Sequence, residues 1–405
     1  MREEKMMILT MLEEGKITAE EAIKLLEALE DIDVPNSFSK NDELKNENPK
    51  KETSPGPLIF DTLGEIGSDI GNALSSVFDG LRDFTQSIGF WTNYETVSKV
   101  IDYDLEHENP SLDLSGINGS IKLRPIEGNK LKIRAVCQYK KGLLLENENF
   151  FNFTAAEGRI VFSPKYNSTI SVKLDVSLPD KKYNEILLNT SNGKIDIKEL
   201  DVNSLICITS NSAIELADVN ARKVDLTTKN GRIECRDINT KTLKAGTTNS
   251  GIYLNDISCS EIDAKTANAK IDINDIVADK IACRTSNASI DAVDIACQTL
   301  SLITSNGKVV CEDLDLNRIK EIRIITSNGS ISSKICEMER PIYLDIETSM
   351  GNINLEIPNL VYKVNKQVKL GQKKIIAHSP NYNENTDHLR FTASTSNGSI
   401  KIYEG

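Results

Sequence analysis

The sequence predicts an all-β chain: a parallel β-solenoid with 19–22-residue coils, preceded by a short N-terminal α-helical hairpin and an amphipathic capping helix. Three observations carry this. A Thr-Ser-Asn-Gly-like motif starts at Thr190, Thr209, Thr228, Thr247, Thr266, Thr285 and Thr304, stepping by 19 residues six times running, and returns at Thr326, Thr348 and Thr395. A fixed short period is the signature of stacked repeats. Within a unit numbered from its Thr, places 6, 8, 11, 16 and 18 are mostly apolar or small, as Ile233, Cys235, Ile238, Leu243 and Ala245 show. Pairs two apart have the period of a strand. Finally, only 5% of the 405 residues are aromatic, so the core must be aliphatic.

The elements follow in chain order. Residues 1–30 read as a helical hairpin. Ile8, Met11 and Leu12 form one apolar stripe, Gly15 ends it, and Thr18 with Glu21 forms a capping box. Ala22, Ile23, Leu25, Leu26 and Leu29 form the second stripe. A hairpin this short cannot bury its own stripe. Ile8, Met11, Leu12, Ile23, Leu26 and Leu29 are therefore expected to contact a protein partner or a second copy. Residues 31–57 are polar, with Pro35, Pro55 and Pro57, and read as a flexible linker. In 58–92, Leu63, Ile66, Ile70, Leu74, Val77, Leu81, Phe84 and Ile88 recur at helical spacing. The polar face carries Asp61, Glu65, Asp69, Asp79 and Asp83 against Arg82, the wrong sign for anionic lipid. That favours a cap or an oligomer contact.

The solenoid is expected over 97–405. Its runs KLKIRAVCQYK and TISVKLDVSLP lead into the coil, INGSIKL (117–123) is a degenerate first copy, regular repeats fill 190–355, and 356–405 forms a C-terminal cap. Equivalent residues stack at about 4.8 Å, which makes a rod of roughly 45 Å from ten motifs. The handedness rule for parallel crossovers favours a right-handed coil. Within the cap, Lys363, Lys366, Lys369, Lys373 and Lys374 form a basic patch, suited to protecting an exposed edge strand.

Two polar columns stand out. Place 3 is Asn192, Asn211, Asn230, Asn249, Asn268, Asn287, Asn306, Asn328 and Asn397, broken by Met350. These residues suit a corner with left-handed backbone angles, and their amides can bond along the rod. Place 10 is Glu199, Asp218, Asp237, Asp256, Asp275, Asp294 and Asp313. Stacked charges repel by about 0.9 kcal/mol in water at this spacing. Capping of the corner's backbone offsets that; the alternative is a cation edge along Asp218, Asp237, Asp256, Asp275, Asp294 and Asp313.

Composition narrows function. The net charge is −12, and residues 1–95 carry −11 of it. An acidic chain is a poor nucleic-acid binder. No run approaches the 18–20 apolar residues of a membrane span, so no integral membrane segment is expected. His107, His378 and His388 are widely spaced, which speaks against a His metal site or triad. No residue is picked out as catalytic, and no cofactor or metal is called for. The eight cysteines fall mostly on core places and lack CxxC spacing, as thiols of a reducing compartment would. With acids where a secretion signal carries bases, the reading is cytoplasmic.

MLEEGKITAEEAIKLLEAL resembles the SHOCT-type helical module, which implies oligomerisation or docking. The Thr-Ser-Asn-Gly-x-Ile repeats behind it resemble the bacterial "putative adhesin" family of β-solenoids, otherwise of unknown function. The pairing with the hairpin is similar to proteins found beside envelope-stress genes of Gram-positive bacteria. The reading is thus a non-enzymatic scaffold or interaction protein linked to the cell-envelope stress response. The alternatives are a secreted or surface adhesin and, third, a polysaccharide-active solenoid enzyme, which six equal coils without loop insertions disfavour.

Overall fold

The computed structural model describes residues 94–405 apart from 143–148, 167–169, 336–339 and 368–371. The hairpin, linker and amphipathic helix read at 1–92 lie outside the described residues. The described strands form one 25-stranded, mostly parallel sheet wound into a β-solenoid. The stacking register equals the sequence period. The place-6 column runs Ile121, Ile195, Ile214, Ile233, Ile252, Ile271, Ile290, Val309, Ile331, Ile400, Ile353. Buried aliphatics stack on aliphatics: Ile233, Cys235, Ile238, Leu243 and Ala245 are at most 2% exposed. Each large one contributes roughly 1.5–3 kcal/mol.

Each regular coil has three straight runs and three corners. In the coils from Ile195 to Lys265 one strand of 14 residues covers all three runs. Later coils split it, as in Ile271–Val277 and Lys280–Arg284. The pairing skips places 10 and 14, such as Asp218 and Arg222, and resumes in register. The third corner is the Thr-Ser-Asn-Gly turn. There two successive amides, Ser210 N–H and Asn211 N–H, donate to the single Ser191 carbonyl of the preceding coil at 3.0 and 3.1 Å, and the same pair recurs coil after coil. The motif's Thr is buried, 2–8% exposed in the regular coils. Its hydroxyl donates to the place-4 carbonyl one coil back, for example Thr228 to Ser212 at 3.1 Å and Thr247 to Gly231 at 2.9 Å. Sequence reasoning missed this role, although the Thr is the one residue present in all ten motifs.

Both ends are closed by antiparallel strands, and here the structure corrects the linear reading. At one end, Ser111–Ser115 and Asn118–Ile126 form a coil that stacks directly on Tyr183–Asn189 and Ile195–Ile208. On its other side the same coil carries Arg159–Pro164 and Ile170–Pro179, which stack parallel on Ser111–Ser115 and Asn118–Ile126. Lys130–Lys140 pairs antiparallel with both Tyr94–Asp104 and Ile170–Pro179. Of the two runs expected to lead into the coil, TISVKLDVSLP stacks parallel on Asn118–Ile126, and KLKIRAVCQYK pairs antiparallel with it. The scarce aromatics gather nearby: Phe151 stacks on Phe162 at 4.8 Å and meets Phe150 at 5.0 Å.

At the other end the order of coils departs from the order of sequence. Leu389–Thr395 lies between Glu321–Ile325 and Ile342–Thr348. Ile400–Glu404 lies between Ile331–Ile335 and Ile353–Glu356. The Thr395 coil is therefore inserted between the Thr326 and Thr348 coils. Lys373–His378 then closes Ile342–Thr348 antiparallel, and Val361–Gln367 forms the outer strand. An open parallel end would expose a row of unpaired backbone groups, which antiparallel hairpins cover.

Candidate functional site

Asn192 donates its amide to Asn118 at 2.5 Å, Asn211 to Asn192, Asn230 to Asn211, Asn249 to Asn230 and Asn268 to Asn249, at 2.5–2.7 Å. Asn287, Asn306, Asn328 and Asn397 continue the chain at 2.6–2.8 Å, with Asn397 bonding Asn328. The ladder follows spatial order, which puts Met350, 73% exposed, in the coil beyond its last amide. None of these nine Asn has positive φ. The expected left-handed corner at place 3 is not there, because the corner's amides are spent on the preceding coil's carbonyl.

The left-handed residues are the acids. Glu199, Asp218, Asp237, Asp256, Asp275, Asp294 and Asp313 have φ of 52–56°. Their backbone rather than their carboxylates makes the corner, and short polar side chains tolerate this region best. All seven are exposed. A hydrogen bond with Asp237, then slight burial and the charges of Asp237 and Asp275, pushes the Asp256 carboxyl above its ordinary range. Among the described residues no three His, Cys, Asp or Glu side chains converge as a metal site.

On the face between the Asn ladder and the acid row, places 5 and 7 carry paired charges. Lys194 lies 2.6 Å from Glu215, Arg232 2.8 Å from Glu215 and 3.3 Å from Glu234, and Lys270 2.5 Å from Asp272 and 2.8 Å from Asp291. From the Thr190 coil to the Thr304 coil, bases stand at place 5 of every second coil. Partial burial raises the Glu215 carboxyl, but hydrogen bonds and charge from Lys194 and Arg232 outweigh it and hold the group below its usual range.

The cap brings together what looked scattered. His378 and His388 both pack on Tyr382, at 5.0 and 4.9 Å between ring centres, and Lys363 sits over the same ring at 5.5 Å. Lys374 pairs with Asp345 at 3.2 Å and Glu347 at 3.6 Å, and Lys373 bonds Asn352. Lys369 lies outside the described residues, as do Ile8, Met11, Leu12, Ile23, Leu26 and Leu29. Cys137, Cys207, Cys235, Cys259, Cys283, Cys297 and Cys311 are free thiols, all but the half-buried Cys259 buried. Burial pushes Cys137, Cys235, Cys283 and Cys297 up to about 12, so they behave as small apolar groups.

Residues 111–275 match the family described as Toastrack DUF4097. This stretch is similar to Toastrack domains. Residues 3–33 match the SHOCT-like domain. The chain is 26% identical over 210 residues to the uncharacterized protein YvlB of Bacillus subtilis (strain 168); the match spans 50% of this chain and 56% of that relative. It therefore covers little more than half of the curated relative's length. Among solved structures, a "putative adhesin" from Parabacteroides merdae ATCC 43184 is 12% identical, covering 77% of this chain and 97% of its own at a TM-score of 0.38. A "putative cell adhesion protein" from Clostridium sporogenes ATCC 15579 is 12% identical, covering 77% and 100% at a TM-score of 0.17. No helix among the described residues is long and apolar enough to cross a membrane.

Proposed function

We propose that the protein is a non-enzymatic scaffold, a rigid Toastrack rod that serves interactions with other proteins. The observation that carries this is where the repeated polar groups go. The motif's Asn and Thr side chains are committed to the neighbouring coil, and buried thiols line the interior. What the coils offer outward is a set of flat, repeating faces. The SHOCT-like stretch supplies the contact: Ile8, Met11, Leu12, Ile23, Leu26 and Leu29 bind a protein partner or a second copy. The free thiols support a cytoplasmic setting, and the resemblance to proteins beside envelope-stress genes supports a place in that response.

Crosslinking in native cells followed by mass spectrometry tests partner and compartment together. Crosslinks should map to 3–33, and Ile23→Asp with Leu26→Asp should abolish them without changing the melting of the solenoid. Surface labelling of the intact cell with oxidised thiols, or crosslinks indifferent to that variant, would overturn the reading.

A further inference from the structure

Between Asp196 and Asp291 one position breaks the column of acids at place 7. Where the stacked coils present Asp196, Glu215, Glu234, Asp272 and Asp291, the Thr247 coil presents Tyr253. It is the sole aromatic residue between 195 and 335, and it is 41% exposed. Nothing in the core calls for it, because its side chain points out of the coil while Ile252 and Leu254 on either side are buried.

The ring has a prepared seat. Place 5 of the same coil is Gly251, between the bases Arg232 and Lys270 of the adjacent coils. A Cβ at Gly251 would lie 2.8 Å from Cε2 and from the hydroxyl oxygen of Tyr253 and 2.9 Å from Cζ. The ring therefore covers the bare backbone of Gly251, and any larger residue there would displace it. One edge of the platform meets backbone, and 41% of the residue is open to solvent.

Around it lies an open groove of about 480 Å³, whose lining includes Arg232, Glu234, Arg236, Asp272, Asn255 and Asn274. Its charges are already balanced by one another. Arg232 lies between Glu215 and Glu234, Arg236 is 3.5 Å from Glu234, and Lys270, beside the groove, holds Asp272. Asn274 donates to Asn255 at 2.9 Å. The groove thus combines one exposed aromatic face with many hydrogen-bonding groups and little uncompensated charge. A ligand that fits has an apolar C–H face for the ring and hydroxyls for the amides, carboxylates and guanidinium groups, without net charge of its own.

We infer that this groove is a binding subsite for a neutral oligosaccharide, with Tyr253 as the stacking platform. The site is separate from the protein-contact reading of the N-terminal stretch, and neither rests on the other.

The test uses the full chain and a panel of neutral hexasaccharides: β-1,4-linked glucose, α-1,4-linked glucose, β-1,4-linked mannose and β-1,4-linked N-acetylglucosamine. An α-1,4-linked galacturonate hexamer serves as the charged control. Saturation-transfer NMR and calorimetry read binding. At least one neutral hexamer should bind, with its pyranose ring C–H protons saturated. Tyr253→Ala should weaken it about tenfold or more, and Tyr253→Phe by less than about threefold. Gly251→Ser, which unseats the ring, should also weaken it. Because the Tyr253 side chain is exposed, melting curves of the Tyr253 variants should match the parent. Failure of every neutral hexamer to bind, binding unchanged in Tyr253→Ala, or binding of the galacturonate alone would overturn the inference.

Discussion

At the scale of single residues, each coil is held by a few atoms repeated many times. Thr228 is the clearest case. Its hydroxyl donates to the Ser212 carbonyl at 3.1 Å and accepts from Gly231 N–H at 3.2 Å, so one oxygen ties two coils and closes its own corner. Thr228→Val keeps the shape and loses both bonds; chemical denaturation should show a loss of about 1–2 kcal/mol, with Thr228→Ser recovering most of it. The acid row behaves oppositely. Asp256 holds its proton more tightly in the folded chain than in the unfolded one, where its ordinary value is 3.8. The folded state therefore binds more protons in that window, and this group's contribution to stability is present below 3.8 and is lost as pH rises through the higher folded value. Asp256→Asn keeps a side chain that tolerates φ of 54°. It should raise the melting temperature at pH 7 by roughly 1 °C, with a smaller gain near pH 4 and in high salt.

At the scale of elements, the sequence shows the interior coils almost completely and the ends poorly. A 19-residue step and an aliphatic column at places 6 and 8 dictate parallel stacking in one register, because a slip of one residue turns every Ile outward. The corner at place 10 shows too, as a run of acids, although residue type alone points to the Asn for the left-handed backbone that the acids adopt. The order of coils left no such trace. TSNGSIKI at 395–402 shares six of eight positions both with TSNGSISS at 326–333 and with TSNGKIDI at 190–197, so likeness between copies does not say that it belongs between the Thr326 and Thr348 coils. The antiparallel closures are likewise set by pairing between distant strands, whose alternation reads the same in either direction. The inserted pair of strands is where the structure is most exposed to damage. A chain stopped at residue 388 leaves Glu321–Ile325 and Ile342–Thr348 without their shared partner. It should aggregate and lose a single cooperative melt. Phe391, fully buried in that insert, should cost about 3–5 kcal/mol on replacement by Ala, measured by urea unfolding.

At the scale of the whole molecule, a rod of equivalent coils has stability close to a sum over neighbours. Removing residues 266–284 takes out one complete unit and joins Lys265 to Thr285, so Ile252 meets Ile290 in the register that Ile271 had. That variant should fold, with unchanged circular dichroism per residue and a melting temperature lowered by a few degrees. Removing 18 residues from the same place shifts every following side chain by one and should give insoluble protein. The two deletions, compared by soluble yield and thermal melting, separate the repeat's length from its composition. The insertion near the far end also has a meaning in time. Residues 342–356 leave the ribosome before 389–404, yet the later segment must lie inside the earlier one. Growth of the rod from its first coil can follow translation up to the Thr326 coil. Beyond it the nascent chain holds an open slot with two unsatisfied strand edges, fillable by its own later residues or by those of another chain on the same message. Synthesis rate over residues 357–388 thus becomes a control on whether the finished rods are single or exchanged.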